Sequence, residues 1–393
     1  MTTVTTVALG ELVDFYSGGT PSKSKSEFWA GDVPWFSAKD MKRSRLRDST
    51  DHISDEAFRS TPLRKLPAGT IAMVVRGMIL AHTVPISILD VDAAINQDLK
   101  ALLPKRDVDT AFLAAMLRAQ HDEILSRVST AAHGTKKLDS RVLEELRIPL
   151  PSLPEQRRIA GILDHADTLR TKRRLVLTHL NSLTKSILDD LLRSGFDRVA
   201  FGDLIADGPK NGLYRPSSDY GSGTPIVRID SFKFGSGVIA MDSLRRLRAS
   251  DNQIVEFALA PGDLLVNRVN SREHVGKTAI VGELQEPTVF ESNIMRVRVD
   301  QERLLPRFAV EFMQTKDVRA QVAPMTKDAV NQSSINQTDV RSIQIPLPPL
   351  DLQHEFAARV GRIDGQRGSI HRSLAADDEL FASLQFRAFR GEL

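Results

Sequence analysis

Apolar residues recur every three or four positions over two long stretches of the chain. In the first, Ile159, Ile162, Ala166, Leu169, Val176, Leu180, Leu183 and Ile187 follow a heptad that Arg173 interrupts. In the second, Phe356, Val360, Ile363, Ile370, Leu374, Phe381, Leu384 and Ala388 repeat it, with Arg367 and Asp377 as polar breaks. Each stretch predicts a helix of about 40 residues and roughly 60 Å. Pro154 suits a first helical position, and Glu155 a first turn whose dipole favours a carboxylate. A seam so narrow and long calls for a partner helix. The other copy supplies one, and a polar residue in the seam fixes the register; the alternative lays each helix against a globular core.

The rest of the chain reads differently. Short β-type runs such as "TIAMVV", "LKALLP", "TPIVRI", "DLLVNRV" and "IMRVRV" lie between turns rich in Gly, Pro, Asp and Ser. Helices are predicted at 110–128 and 306–322. The expected class is therefore α+β. Two mixed α/β domains, residues 1–150 and 196–348, alternate with two long helices, residues 151–195 and 349–393.

The two halves are one pattern written twice. A shift of 197 carries Ile148, Pro149, Leu150, Pro151, Leu153 and Gln156 onto Ile345, Pro346, Leu347, Pro348, Leu350 and Gln353. It also carries Leu138, Leu143 and Leu146 onto Ile335, Val340 and Ile343, and Asn96 onto Asn293. Further out the register drifts, with "VALGEL" (Val7 to Leu12) resembling "VAFGDL" (Val199 to Leu204). Drift of this kind marks loop insertions. A pseudo-twofold repeat then requires antiparallel helices forming a coiled coil, with "FRGEL" at the end of the sequence beside "VALGEL".

Composition changes this picture little. The 393 residues exceed one typical core, and 41% hydrophobic with 26% charged residues is ordinary for a folded chain. Net charge is +3, so basic character matters only where it is local. There is no cysteine, which excludes disulfides and thiolate metal sites. The nine histidines lack ligand spacing, so no metal is expected. The first residues lack a basic stretch ahead of an apolar one, and the most apolar run, "GTIAMVVRGMILAHTVPISIL", is broken by Arg76, His82 and Pro85. A cytoplasmic protein without membrane contact is expected.

Local basic character is found in the loops. In the first domain it falls at Lys23 and Lys25, at Lys39, Lys42, Arg43 and Arg45, and at Lys136 and Lys137. In the second it falls at Lys210, Asn211, Tyr214 and Arg215, at Arg245 and Arg246, and at Asn267, Arg268, Asn270 and Arg272; Gln332 and Ser333 follow within "NQSSINQ", Asn331 to Gln337. Arg and Lys hold phosphates, while Arg, Asn and Gln read base edges. Any one such loop can equally be a solvated face, and Arg76 and Arg268, inside apolar runs, can equally be ion-pair partners. Recurrence in both halves favours a DNA-reading surface.

Catalytic signatures are missing. There is no Asn-Pro-Pro-aromatic methyltransferase motif, no phosphate-binding loop and no Ser/His/Asp constellation. Asp263 and Glu273 near Lys277 make a weak nuclease-like cluster, so no catalytic residue is assigned.

Two unlike domains, each followed by "I-P-L-P-x-L" and a long helix, with "PEQRRIAGILD" after the first and "LQFRAFRGEL" at the end, resemble the specificity subunit of type I restriction-modification systems. The resemblance covers the whole chain. It implies that each domain is a target recognition domain contacting one half of a split double-stranded DNA site, and that the coiled coil is a ruler docking two modification subunits. It further implies that adenine methylation from S-adenosylmethionine, and ATP- and Mg-dependent restriction, belong to the modification and the restriction and translocase subunits, leaving this chain without catalysis or cofactor. Two rival readings remain: a related system with a fused methyltransferase-nuclease partner, and a coiled-coil scaffold that does not bind DNA. One departure from the family pattern is visible. The second helix begins "PLDLQHEF", keeping only Gln353 of the usual Pro-x-x-Glu-Gln, and Asp351 is the expected N-cap.

Overall fold

The computed structural model describes residues 5–105, 107–131, 134–232, 237, 239, 241–330 and 332–393. Asn331, at the head of the last polar loop, lies outside them. The chain forms two compact units. One comprises residues 1–174 and 371–393, the other residues 175–370, so each contains a domain and one half of each long helix.

In the first unit a five-stranded sheet runs in the order Val13–Ser17, Leu99–Pro104, Ile71–Val74, Ile86–Leu89, Arg45–Leu46. A three-stranded sheet joins Asp51–Ile53, Val33–Phe36 and Ala94–Ile95. The runs that read as continuously apolar, such as Ile71–Val74, are buried on both faces. The second unit repeats the plan with a four-stranded sheet of Ile205–Asn211, Ile294–Val299, Leu264–Asn267 and Thr278–Ile280. Two three-stranded sheets accompany it: Arg245–Leu247, Tyr220–Val227, Val289–Phe290, and Val269–Asn270, Gln332–Ser334, Lys327–Ala329. Fully buried phenylalanines anchor equivalent core sites, Phe112 in one and Phe308 in the other.

Each domain helix is split where one long helix was expected. Thr110–Ala119 is followed by His121–Ser126, and Pro306–Met313 by Lys316–Val322. The second break is local chemistry, because the Thr315 side chain accepts the Val318 N–H and starts a new helix.

The proline-rich lead-ins are strands. Arg147–Pro149 pairs antiparallel with Thr6–Ala8, and Gln344–Pro346 pairs in the same way with Arg198–Ala200. The helices that follow span Leu153–Leu192 and Leu350–Phe389. Asp351 lies inside the first turn of its helix, so it serves the helix dipole and is not the N-cap. The residue both helices keep has a common task. Buried Gln156 accepts the Asp109 N–H at 2.8 Å and donates to Asp107 O and Pro151 O at 3.1 and 3.0 Å. Gln353 does the same with Leu305 N–H at 2.8 Å and with Arg303 O and Pro348 O at 3.0 and 2.8 Å.

Within each unit the two helix halves run antiparallel. In the first, Arg170 Nε bonds Asp378 at 2.6 Å, Arg173 bonds Asp377 at 2.5 Å, and Arg158 reaches the Leu393 carbonyl. In the second, Arg367 bonds Thr184 Oγ1 at 2.7 Å and Leu180 O at 3.0 Å. Ala388 joins the first unit's core, and Leu393 and Val7 both pack against that core.

The second helix uses the expected seam: Phe356, Val360 and Ile363 are buried, and Ile370, Leu374, Phe381 and Leu384 are half-buried. The first does not. Ile159, Leu180 and Ile187 face inward, but the other stripe runs through Leu163, Arg170, Leu177, Thr184 and Leu188. Ile162 and Ala166 are half-buried as the expected seam requires, but Leu169, Val176 and Leu183 are 39%, 40% and 47% exposed. Polarity explains the correction. Arg170 and Thr184 occupy the seam with their hydrogen bonds met, which leaves the more apolar neighbours outside. The shift of 197 already pointed there, since it carries Val360 back to Leu163 and Leu374 back to Leu177.

The two stripes predict different costs. Leu188→Ala, at a site 3% exposed, should lower unfolding free energy by about 2–5 kcal/mol in a denaturant titration. Leu183→Ala should change it by no more than about 0.5 kcal/mol. Equal losses would return Leu183 to the seam.

Candidate nucleic-acid interface

The four basic residues at 39–45 come together in the first unit. They line one open cleft with Asp40, Arg47, Thr50 and Asp90. The turn is built by Asp40, which accepts Ser37 N–H at 2.9 Å and Thr50 Oγ1 at 3.0 Å. Asp90 then holds Arg45 at 2.6 Å and Arg47 at 3.3 Å. The Arg45 hydrogen bond keeps the Asp90 carboxyl below the usual range, and the hydrogen bond to Asp51 at 2.7 Å raises the Lys39 ammonium. Lys42 and Arg43 are exposed, and their side chains have no hydrogen-bond or ion-pair partner among the described residues, although the Arg43 carbonyl accepts the Ser87 hydroxyl at 2.6 Å. Their charge is thus unspent.

The remaining basic sites of this unit are elsewhere. Exposed Lys25 stands over the Phe28 ring at 4.9 Å, and Lys23 lies on the same exposed loop. Lys136 and Lys137 form one strand of a hairpin with Ser129–Thr130, where Lys137 pairs with Asp139 at 2.8 Å.

In the second unit the predicted residues fall into groups. Tyr214, Arg215 and Arg245 line one cleft together with Tyr220, Arg228, Glu291 and Asn293. Asn211 and Arg268 share another with Asn336 and Thr338. Asn270, Gln332 and Ser333 lie on one small sheet, in which Asn270 is in register with Ser333. Several cations are already engaged: Lys210 with Glu256 at 3.3 Å, Arg246 with Glu286 at 3.0 Å through Nη1, Arg215 with Asp219 at 3.4 Å, and Arg272 with Asp328. Arg268 donates to Ser292 O at 3.3 Å and has no ion-pair partner among the described residues. Arg76 is exposed one position beyond the counterpart of Arg268, which is Val75, and is also without an ion pair among the described residues. Tyr214 is 77% exposed at its cleft's edge.

Two expectations need correction. Asn267 is fully buried at the end of its strand, its amide without a partner among the described residues, and so presents nothing to a duplex. Ser333 is also buried and donates to Asp328 at 2.7 Å. Asn267 ends a strand buried on both faces, strand alternation turns Ser333 inward, and a loop-like composition hid both.

Sequence reasoning also missed Tyr220, Arg228 and Glu291. The constant shift of 197 had set Asn96 against Asn293, whereas the strand ladders set it against Glu291. Asn96 N–H donates to Phe36 O at 2.9 Å, and Glu291 N–H to Val227 O at 3.0 Å. Loop insertions between the two repeats displaced the register by two residues. Burial raises the Glu291 carboxyl and the Tyr220 hydroxyl and lowers the Lys277 ammonium. Lys277 donates to Ile229 O at 2.7 Å and Phe232 O at 2.6 Å, which makes it a structural lysine. Among the described residues no acidic or histidine cluster could hold a metal ion, and no helix is long and apolar enough to cross a membrane.

The exposed, unspent cations predict a salt-sensitive surface. Lys42→Ala and Arg43→Ala should each weaken binding to every duplex tested and reduce the log–log salt slope by about one. Unchanged affinity at low salt in a fluorescence-anisotropy titration would remove both residues from the interface.

Comparison with known proteins agrees with this architecture. The specificity subunit of the Escherichia coli type I restriction enzymes EcoR124I and EcoR124II is 40% identical over 203 residues, 51% of this chain and 48% of that one. The chain thus spans about half the length of that relative. The EcoKI specificity subunit of Escherichia coli K12 is 25% identical over 317 residues, 74% of this chain and 67% of that one. The crystal structure of a type I S subunit from M. genitalium superposes with a TM-score of 0.61 at 14% identity, covering 98% of this chain and 96% of that one. Residues 1–179 and 248–374 match the type I restriction modification DNA specificity domain, and the chain belongs to that family.

Proposed function

We propose that this chain is the specificity subunit of a type I restriction-modification complex and reads a split site in double-stranded DNA. What carries the reading is one scaffold built twice, with the same glutamine anchor and strand ribbon in each unit and different side chains in the loops. Unlike loops select unlike half-sites. The paired helices act as a ruler between them, and half-sites about one helical turn apart face the same side of a duplex.

Two modification subunits and the restriction and translocase subunits are the proposed partners. Adenine methylation from S-adenosylmethionine and ATP-driven, Mg-dependent restriction belong to them, and this chain supplies recognition without catalysis or a cofactor of its own. A cytoplasmic location follows from that role.

The test is a methylome. Host DNA is sequenced for N6-methyladenine with this chain co-expressed beside its methyltransferase partner and with the partner alone. A split motif with a fixed gap, present only with this chain, is the expected result; a soluble complex that adds no motif would favour the scaffold reading. The ruler has its own test. Deleting one heptad from both helices removes about 10 Å of each, so the gap should shorten by about three base pairs. An unchanged gap would refute it.

A further inference from the structure

Both units contain the same backbone corner, filled differently. In each, a parallel pair of strands ends at a buried polar residue, Asn96 or Glu291. Against that end lies a glycine with no room for a side chain. A Cβ on Gly18 would stand 2.2 Å from Ile95 O, and one on Gly212 would stand 2.3 Å from Phe290 O. The corner is therefore fixed by the main chain, and its chemistry varies only through the side chains around it.

In the first unit tryptophans occupy it. Trp35 Nε1 donates to Gly19 O at 3.0 Å, and Trp29 packs edge-on against Trp35 with centroids 5.1 Å apart. In the second unit the strand position of Trp35 is held by Ile226, since Trp35 is in register with Ala94 and Ile226 with Val289. Ile226 is fully buried, and a cleft of about 420 Å³ opens beside Glu291 at the same corner.

Arg228 sits in that cleft and is held on two sides. Its guanidinium lies over the Tyr220 ring at 5.4 Å, and its Nε is 3.4 Å from the Glu291 carboxylate and 3.9 Å from that of Asp230, ion pairs without a hydrogen bond from Nε. Glu291 is held in turn by the Ile229 N–H at 2.6 Å. Among the described residues neither Nη1 nor Nη2 has a hydrogen-bond partner, whereas Arg215 donates from Nη2 to Gln253 and Arg246 donates from both Nη atoms to Glu286. A planar fork fixed in this way gives up little freedom when it bonds. Its side chain is three-quarters buried, with 25% relative exposure, which suits an inserted base edge better than a phosphate on the outer rail of a duplex.

We propose that Arg228 reads a guanine in the half-site met by the second domain, donating from Nη1 and Nη2 to O6 and N7. Guanine is the base that offers two acceptors side by side in the major groove. Tyr220 and Glu291 are positioning residues. The inference rests on the DNA-reading function proposed above and adds to it a base and the residue that reads it.

The experiment compares wild type with Arg228→Ala, Arg228→Lys and Glu291→Gln, each as the full chain in complex with its methyltransferase partner. Two readouts apply: the N6-methyladenine motif, and the affinity for duplexes substituted at each position of that motif. Arg228→Ala and Arg228→Lys should each erase the preference at one G·C pair of the second half-site, a loss of roughly 5- to 150-fold in discrimination, with the first half-site unchanged. Lysine keeps the charge and loses the fork, so failure to rescue marks bidentate reading. Glu291→Gln should weaken the same position alone. Thermal melts identify a variant that fails to fold, and then the lysine and glutamine variants decide. A wild-type second half-site without a G·C pair, unaltered preference in the Arg228 variants, or equal loss for every sequence would each overturn the assignment. A wild type that specifies no motif would instead refute the DNA-reading function itself.

Discussion

The structure depends on one buried amide used twice. Gln156 and Gln353 each tie the first turn of a long helix to the loop preceding Thr110–Ala119 or Pro306–Met313, through one accepted and one donated hydrogen bond, and donate a second to the proline-rich lead-in of their own helix. A buried amide with all three bonds made is stable only in one geometry, and losing one partner leaves a polar group without water. The direction in which each helix leaves its own domain is therefore set at its first turn. This explains why the second lead-in keeps its glutamine while losing the proline and glutamate that accompany it in the first.

Register along the helices is set by a second device. The chain places arginines in the seam at Arg170 and Arg367, each joined to an aspartate three residues earlier, Asp167 at 3.0 Å and Asp364 at 2.7 Å. Across the seam they find different partners. Arg170 meets Asp378 and stands over Phe381 at 4.2 Å, while Arg367 meets Thr184 and Leu180. Arg367 is joined to its own domain as well, since Arg307 bridges Asp364 and Glu311 at 2.8 Å each. Burial raises the Glu311 carboxyl despite Arg307, which marks a network held inside the packing. Polar contacts of this kind select one alignment, because a shift along the helix leaves charges buried without partners.

The sequence revealed the scaffold more readily than the surface. Proline punctuation, repeated glutamine and heptad periodicity are signals whose meaning does not depend on distant residues, and they placed both helices and the twofold repeat. The seam of the first helix was misread because hydrophobicity alone favours Leu169 and Leu183 over Arg170 and Thr184, whose partners are about 200 residues away. Basic loops could be found by composition, but composition cannot tell Lys42 from Lys39, because what separates them is the Asp51 carboxylate beside one and not the other. Arg228 was missed for a related reason. Its role depends on Tyr220 beside it and on Glu291, which is 63 positions further along and comes near only when the parallel strands pair.

The strand ribbon at the foot of each helix bears on how such a chain can change. Thr6–Ala8 lies against Arg147–Pro149, and Arg198–Ala200 against Gln344–Pro346, so each domain begins and ends one strand spacing apart. A genetic crossover on either side of a ribbon would replace everything between its two strands, including the main-chain groups at 107 and 109 or 303 and 305 that the glutamine holds, while leaving the long helix and its glutamine in place. The fold therefore divides into a cassette that can be exchanged whole and a frame that receives it. What an incoming domain must match is only the strand pair and the main-chain groups that meet the glutamine.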